Sequence, residues 1–236
     1  MKAYKNFGVT LLLLFATFTT ACNSPMEPGN NTGDDDMLET LSTMPKEDLN
    51  SSEEDGLFFM REEEKLARDV YIAMYEKWDL NIFNNISKAE QKHMDAVKVL
   101  LDRYSMEDPI KNDVFGVFEN EHLQTLYNDL IETGNKSLVD ALIVGQSIEE
   151  IDILDLIKYT EEIDNADITF VYDNLNRGSR NHLRAFVRNL VDQGAEEVIA
   201  LYMEQEDFDA IINSDMEKGG NKSGRGKGNG RRGGRR

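Results

Sequence analysis

Ile82-Phe83-Asn84-Asn85-Ile86-Ser87-Lys88-Ala89-Glu90-Gln91-Lys92-His93-Met94-Asp95-Ala96-Val97-Lys98-Val99-Leu100 is the stretch whose reading decides the fold. Ile82, Phe83, Ile86, Ala89, Val97 and Leu100 recur at helical spacing and turn one face toward a core. Glu90 and His93, three residues apart, share a face, so one carboxylate and one imidazole meet the same neighbour. A hard oxygen ligand beside a borderline nitrogen ligand suits iron, with manganese or zinc as alternatives. Ser87, three residues before Glu90, equally fits a capping box, in which case the pair would mark a helix start.

Outward from this stretch, residues 51–214 carry apolar residues at helical spacing, a single proline (Pro109) and no alternating strand pattern. They predict one all-α domain large enough to bury a core. Helices are expected at about 52–78, 81–104, 120–133, 137–163 and 166–193, with two short ones near 195–204 and 208–214. Short links join the first and second long helices and the third and fourth. One long crossover between the second and third completes a four-helix bundle.

Residues 1–22 read as an export segment: a basic start, an apolar run from Val9 to Phe18 too short to span a bilayer comfortably, and Thr19-Thr20-Ala21-Cys22 at its end. Cys22 is the single cysteine, so no intramolecular disulfide or thiolate metal site can form. Residues 23–50 hold three of the four prolines and the acidic Asp34-Asp35-Asp36, and are expected to be a disordered tether. At the other end, residues 215–236 are rich in glycine and arginine, and Lys218–Arg236 contains eight positive charges and no acid. The chain is otherwise strongly acidic, with all 45 acids before Lys218 and a net charge of −19 overall. A basic tail of this kind predicts contact with an anionic surface. Nucleic acid is not expected, because no aromatics are interleaved to stack on bases.

The histidines sort by context. His182 has Leu175, Gly178, Phe186 and Leu190 at inward spacing, as His93 has its own apolar neighbours, whereas His122 lacks such a setting and reads as surface. Glu149 and Asp152 lie beside Ile148 and Ile151. Glu63 and Glu64 straddle the apolar stripe of the first helix, and helical phase admits either. Four helices thus each offer an acid or a histidine to one interior, and a shared dication would neutralise buried carboxylates that are otherwise costly. P-loop, serine-triad and cysteine-pair motifs are absent, which leaves phosphoryl transfer and thiol chemistry without support.

Phe59-Met60-Arg61-Glu62-Glu63-Glu64-Lys65-Leu66-Ala67-Arg68-Asp69-Val70-Tyr71, Ala89–Val97, Gly145–Glu150 and Gly178–Arg184 together resemble the ferritin-like superfamily, its rubrerythrin branch in particular. They are also similar to a ferritin-like domain family of bacteria and archaea without an assigned function. The resemblance implies a ferritin-like four-helix bundle with metal ligands Glu64, Glu90, His93, Glu149 and His182, with Glu63 and Asp152 as substitutes and Tyr71 as a nearby hydrogen-bonding or redox group. Ser179, where the superfamily has a bridging Glu, and Gln146, acidic in rubrerythrins, depart from the pattern and predict one metal or two unequal ones. Gly145 and Gly178 in mid-helix cost about 1 kcal/mol each against alanine and imply close helix approach or a local bulge beside the site.

The N-terminus resembles a bacterial lipoprotein signal, which makes Cys22 the lipidation site and the cell envelope the location. The implied function is iron oxidation, iron handling or peroxide defence at a one- or two-iron centre. The alternative is a non-catalytic envelope module with a degenerate or structural metal site. Expected partners are metal ions, a membrane through the lipid anchor, an anionic surface through the tail, and a second copy in a homodimer.

Overall fold

The computed structural model describes residues 39–219. They form α1 (Ser51–Trp78), α2 (Asn81–Tyr104), α3 (Glu121–Gly134), α4 (Leu138–Thr160), α5 (Ala166–Asp192) and α6 (Gln205–Ile212), preceded by a helical segment at residues 39–43. Among the described residues there is no strand, and no helix is long and apolar enough to cross a membrane.

Local chemistry sets the helix ends. Asn50 caps α1 through a capping box with Glu53, satisfying backbone N–H groups that have no partner within the helix. The same Glu53 carboxylate accepts from the backbone of Asp164 and Asn165 and from the Asn165 side chain, which ties the α4–α5 turn to the start of α1. Asp79 (φ 51°) ends α1 and Ser105 (φ 60°) ends α2, each in the left-handed region that reverses the chain after a helix. Because α2 begins at Asn81, Ser87 lies within it and donates to the Asn84 carbonyl, so the capping-box alternative for Ser87 and Glu90 is excluded.

The helices pack as two pairs, α1 with α2 and α4 with α5, joined by contacts of α1 with α4 and α2 with α5. One apolar cluster combines Leu66, Val70 and Met74 of α1 with Phe83 and Ile86 of α2, Leu142 of α4 and Phe186 of α5. A second combines Leu57 and Met60 of α1 with Val97 and Leu100 of α2, Leu156 of α4 and Leu175 of α5, and a third, smaller one packs Phe208 of α6 on Ile153, Leu183 and Val187. Early α1 residues meet late α2 residues, and late α4 residues meet early α5 residues, so each pair is antiparallel. Between the first two apolar layers lies a buried polar layer: Glu63, Glu64, Glu90, Glu149, Asp152 and Ser179.

Residues 105–137, including α3, connect α2 to α4 and are fastened to α1 by charge. Glu62 accepts from the backbone N–H groups of Glu119 (2.6 Å) and Asn120 (3.1 Å). Buried Lys65 donates to Asp69 and to the Val114 carbonyl, and Asp69 accepts from Gly116, whose φ of 70° suits glycine. Arg61 pairs with Asp108, and Arg68 with Asp113. Replacing Glu62 by Ala orphans two backbone donors, and the expected cost is about 2 kcal/mol in a denaturant titration. Bound metal should not change, because Glu62 faces the connection rather than the polar layer.

Three expectations are corrected. Residues 195–204 are not helical: Glu150 accepts from the backbone N–H groups of Leu201, Tyr202 and Met203, and Gln146 donates to the Ile199 carbonyl, which holds this segment extended over α4. One C-terminal helix, α6, remains. Of the stretch expected as a tether, residues 39–50 are described: 39–43 are helical, Leu41 is buried and the Met44 carbonyl accepts from Arg103, whereas most of the others are exposed. Beyond residue 214, the chain is still attached, because Glu217 pairs with Arg180 and Arg184. The export segment, Cys22, the rest of the expected tether and the tail beyond residue 219 lie outside the described residues.

Candidate metal centre

Glu90 sits at the middle of the polar layer, and its two oxygens face two different histidines. Oε2 lies 2.7 Å from Nδ1 of His93, and Oε1 lies 2.9 Å from Nδ1 of His182. Glu64 of α1 approaches the first ring (Oε2 to His93 Nδ1, 3.2 Å), and Glu149 of α4 approaches the second (Oε2 to His182 Nδ1, 3.4 Å). Two overlapping groups result, Glu64–Glu90–His93 and Glu90–Glu149–His182, and within each the ligand atoms are no more than 4.8 Å apart. The imidazoles stack with centroids 5.6 Å apart.

Of the two acids that helical phase allowed, Glu64 reaches the histidines. Glu63, 100° around the helix, faces Asp152 and Asp155 instead. Tyr71, fully buried, donates to Glu149 Oε1 at 2.5 Å. Asp152 lies against Ser179, whose hydroxyl contacts Asp152 Oδ2 as well as the Leu175 carbonyl. Ser179 on α5 is therefore faced by an acid from α4. Gln146 is turned away toward Glu150 and residue 199, and His122 is exposed at the start of α3.

The mid-helix glycines have distinct uses. A Cβ at Gly178 would lie 2.6 Å from Nε2 of His93, so the missing side chain makes room for that ring. A Cβ at Gly145 would run into the Phe186 ring, so here glycine lets α5 approach α4. What the sequence reading missed was Asp155, which extends the Glu149–Asp152 row by another three residues on α4. The regular spacing was visible, but nothing marked its inward end.

Charge compensation explains how the cluster survives burial. Burial pushes the Glu64 carboxyl up to about 7, although His93 draws it down. Burial also opposes charge on His182, but Glu90 and Glu149 overcome it and hold the ring at about 10. His93 is raised well above the ordinary range by Glu64 and Glu90, again against burial. Glu90, flanked by both rings, is driven far below the usual carboxylate range despite burial. Without metal, the two imidazoles and the carboxylates around them offset one another's charge, which favours the protonated rings.

The residues fit a pair of cations. Glu64 Oε1, Glu90 Oε1 and His182 Nδ1 are buried and make no hydrogen bond, since the 2.9 Å approach of the last two is misaligned for one. Two unpaired buried carboxylate oxygens, beside a ring nitrogen that can give up its proton, are what a cation satisfies. Metal ligation needs the Nδ1 lone pair, so each histidine must lose its proton. The stabilisation from charged His182 is full below the ordinary pKa of about 6.5 and lost as pH rises through about 10. Metal affinity therefore rises with pH across that window. Loading at pH 7 should release about one proton per histidine and part of a third from Glu64, as measured by calorimetry in buffers of different ionisation enthalpy.

Residues 53–215 match the family model described as Uncharacterized protein domain (DUF2202). The chain belongs to this family. Its DUF2202 region contains every residue of the cluster, from Glu64 to His182. Over 186 residues the chain is 53% identical to Uncharacterized protein MJ0754 of Methanocaldococcus jannaschii, across 79% of this chain and 100% of that one. The crystal structure of hypothetical protein MJ0754 from Methanococcus jannaschii DSM 2661 aligns with a TM-score of 0.72 at 52% identity, covering 74% of this chain and 99% of that one.

Proposed function

We propose that this DUF2202 chain is a ferritin-like metalloprotein that binds two divalent cations, iron by preference, and uses them in iron oxidation or peroxide removal. The observation that carries this reading is the single Glu90 carboxylate set between two Nδ1 atoms, at 2.7 and 2.9 Å. Glu64 and His93 complete one ligand set, and Glu149 and His182 the other. The long α2–α4 connection and the antiparallel pairs are the topology that the ferritin-like resemblance implies.

Glu64, Glu90, His93, Glu149 and His182 would hold the ions, and two ferrous ions bound there would supply one electron each, enough to reduce one hydrogen peroxide to two waters with uptake of two protons. The chain's own residues hold and insulate that chemistry. Tyr71 fixes the orientation of Glu149 through its hydroxyl. The Tyr71, Phe83 and Phe186 rings pack together on one side of the polar layer and exclude bulk water from it. Protein purified without a metal-binding tag and loaded anaerobically with Fe(II) should oxidise it rapidly on addition of peroxide or dioxygen, at about two irons per chain. Oxidation no faster than that of free Fe(II) in the same buffer overturns the redox function.

The envelope location is part of the same proposal and rests on the lipoprotein-like segment ending at Cys22. If Cys22 carries the anchor, Cys22→Ser should move the protein from the membrane to the soluble fraction. Retention equal to that of wild type rules the anchor out.

A further inference from the structure

Outward from the centre, Glu149, Asp152 and Asp155 follow one another at three-residue spacing on α4 and share a face. Burial falls off along the row: Glu149 and Asp152 are buried, whereas the Asp155 side chain is 25% exposed, with the exposed Lys158 ammonium 4.0 Å from its Oδ1. Glu63 of α1 packs against the outer end, 3% exposed and within hydrogen-bond reach of Asp155.

Glu63 plays no part in either histidine-containing group, yet both of its oxygens are buried without a hydrogen-bond donor. Asp152 Oδ1 and the Tyr172 hydroxyl, which feels the charge of Glu63, are likewise buried and unpartnered. A fully buried carboxylate with no donor costs several kcal/mol unless a proton or a cation meets it. Three orphaned carboxylate oxygens on α1 and α4, beside a row of acids that reaches the surface, mark a place built for a positive ligand.

We infer that Glu63 and Asp155 hold a hydrated divalent cation in an outer site, with Asp152 as the step between that site and the centre. Its transit role rests on the proposed metal centre, whereas the site itself does not. The donors are all oxygen, which selects hard cations such as Mn(II), Mg(II) or Fe(II). Two carboxylates with the remaining positions filled by water bind more weakly than the histidine-containing groups, so the outer ion exchanges readily.

The test uses the full chain, with Mn(II) to count sites and Co(II) to follow loading. Co(II) bound by histidine nitrogen gives a visible absorption band that reports on the inner centre alone. For Glu63→Gln and for Asp155→Asn, equilibrium dialysis should show about one Mn(II) fewer per chain than in wild type. The Co(II) band should reach its full amplitude about tenfold more slowly, because the acidic entrance that concentrates cations has been weakened. Asp155 is partly exposed, so its amide variant keeps the test valid if Glu63→Gln misfolds. Mn(II) counts equal to wild type in Asp155→Asn overturn the outer site, and a normal loading rate overturns its transit role. Absence of the Co(II) band in wild type would instead defeat the metal centre itself, while the Mn(II) count would still decide the outer site.

Discussion

Glu90→Ala is expected to remove both ions at once, lowering bound metal from about two per chain to a small fraction of one. Neither His93 nor His182 variants should do this, because each histidine belongs to one ligand group and Glu90 belongs to both. The variant should also be costly without metal. Glu90 is 2% exposed and is the carboxylate that approaches both rings, so its loss leaves two partly buried imidazoles with only Glu64 and Glu149 nearby. Breaking a buried ion pair by deleting one partner costs about 3–5 kcal/mol, and a denaturant titration of metal-free protein should show a loss of that size. His122→Ala is the control: His122 is exposed on α3, and both metal content and stability should stay at wild-type values.

Gly178→Ala should separate the two ions. The added methyl would sit 2.6 Å from Nε2 and 2.7 Å from Cε1 of His93, closer than carbon atoms approach, so the ring must move. Its Nδ1 is then pulled from Glu64 and Glu90, and the Glu64–Glu90–His93 group should lose affinity by about 10- to 100-fold, the 1–3 kcal/mol of a typical overpacked contact. The His182 group keeps its ligands, so bound metal should fall toward one ion per chain. The helix gains about 1 kcal/mol from alanine in place of glycine, so metal-free stability should change little. Gly145→Ala makes the contrasting case. Its methyl runs into Phe186, which packs on Tyr71 and Phe83 in the apolar layer, so the damage should appear as lost stability instead.

The fold was legible because each long helix carries its apolar stripe in an unbroken run, and the links have lengths that allow few arrangements. That the inner acids and histidines meet was legible for a related reason. Glu90 and His93 are locked to one face by their spacing, and His182 stands among large apolar residues. The run Glu62-Glu63-Glu64 was not legible, since each step turns 100° and all three acids are buried. One faces the α2–α4 connection, one the outer acids and one the histidines, and tertiary packing alone tells them apart. Residues 195–204 failed for the opposite reason. Their composition is helical, but Glu150 binds three of their backbone N–H groups and so competes with the helix. Leu41 was lost in a segment too polar overall to read as packed, although one buried leucine is enough to anchor it.

The most direct test of the two-cation centre is an anomalous-difference map at the iron edge, from crystals loaded anaerobically with Fe(II). Two peaks should flank Glu90, each about 2.0–2.2 Å from its ligand atoms. One should lie against Glu64 and Nδ1 of His93, the other against Glu149 and Nδ1 of His182. A map with no peak between α1, α2, α4 and α5, and with both imidazoles still paired to Glu90, would contradict the account.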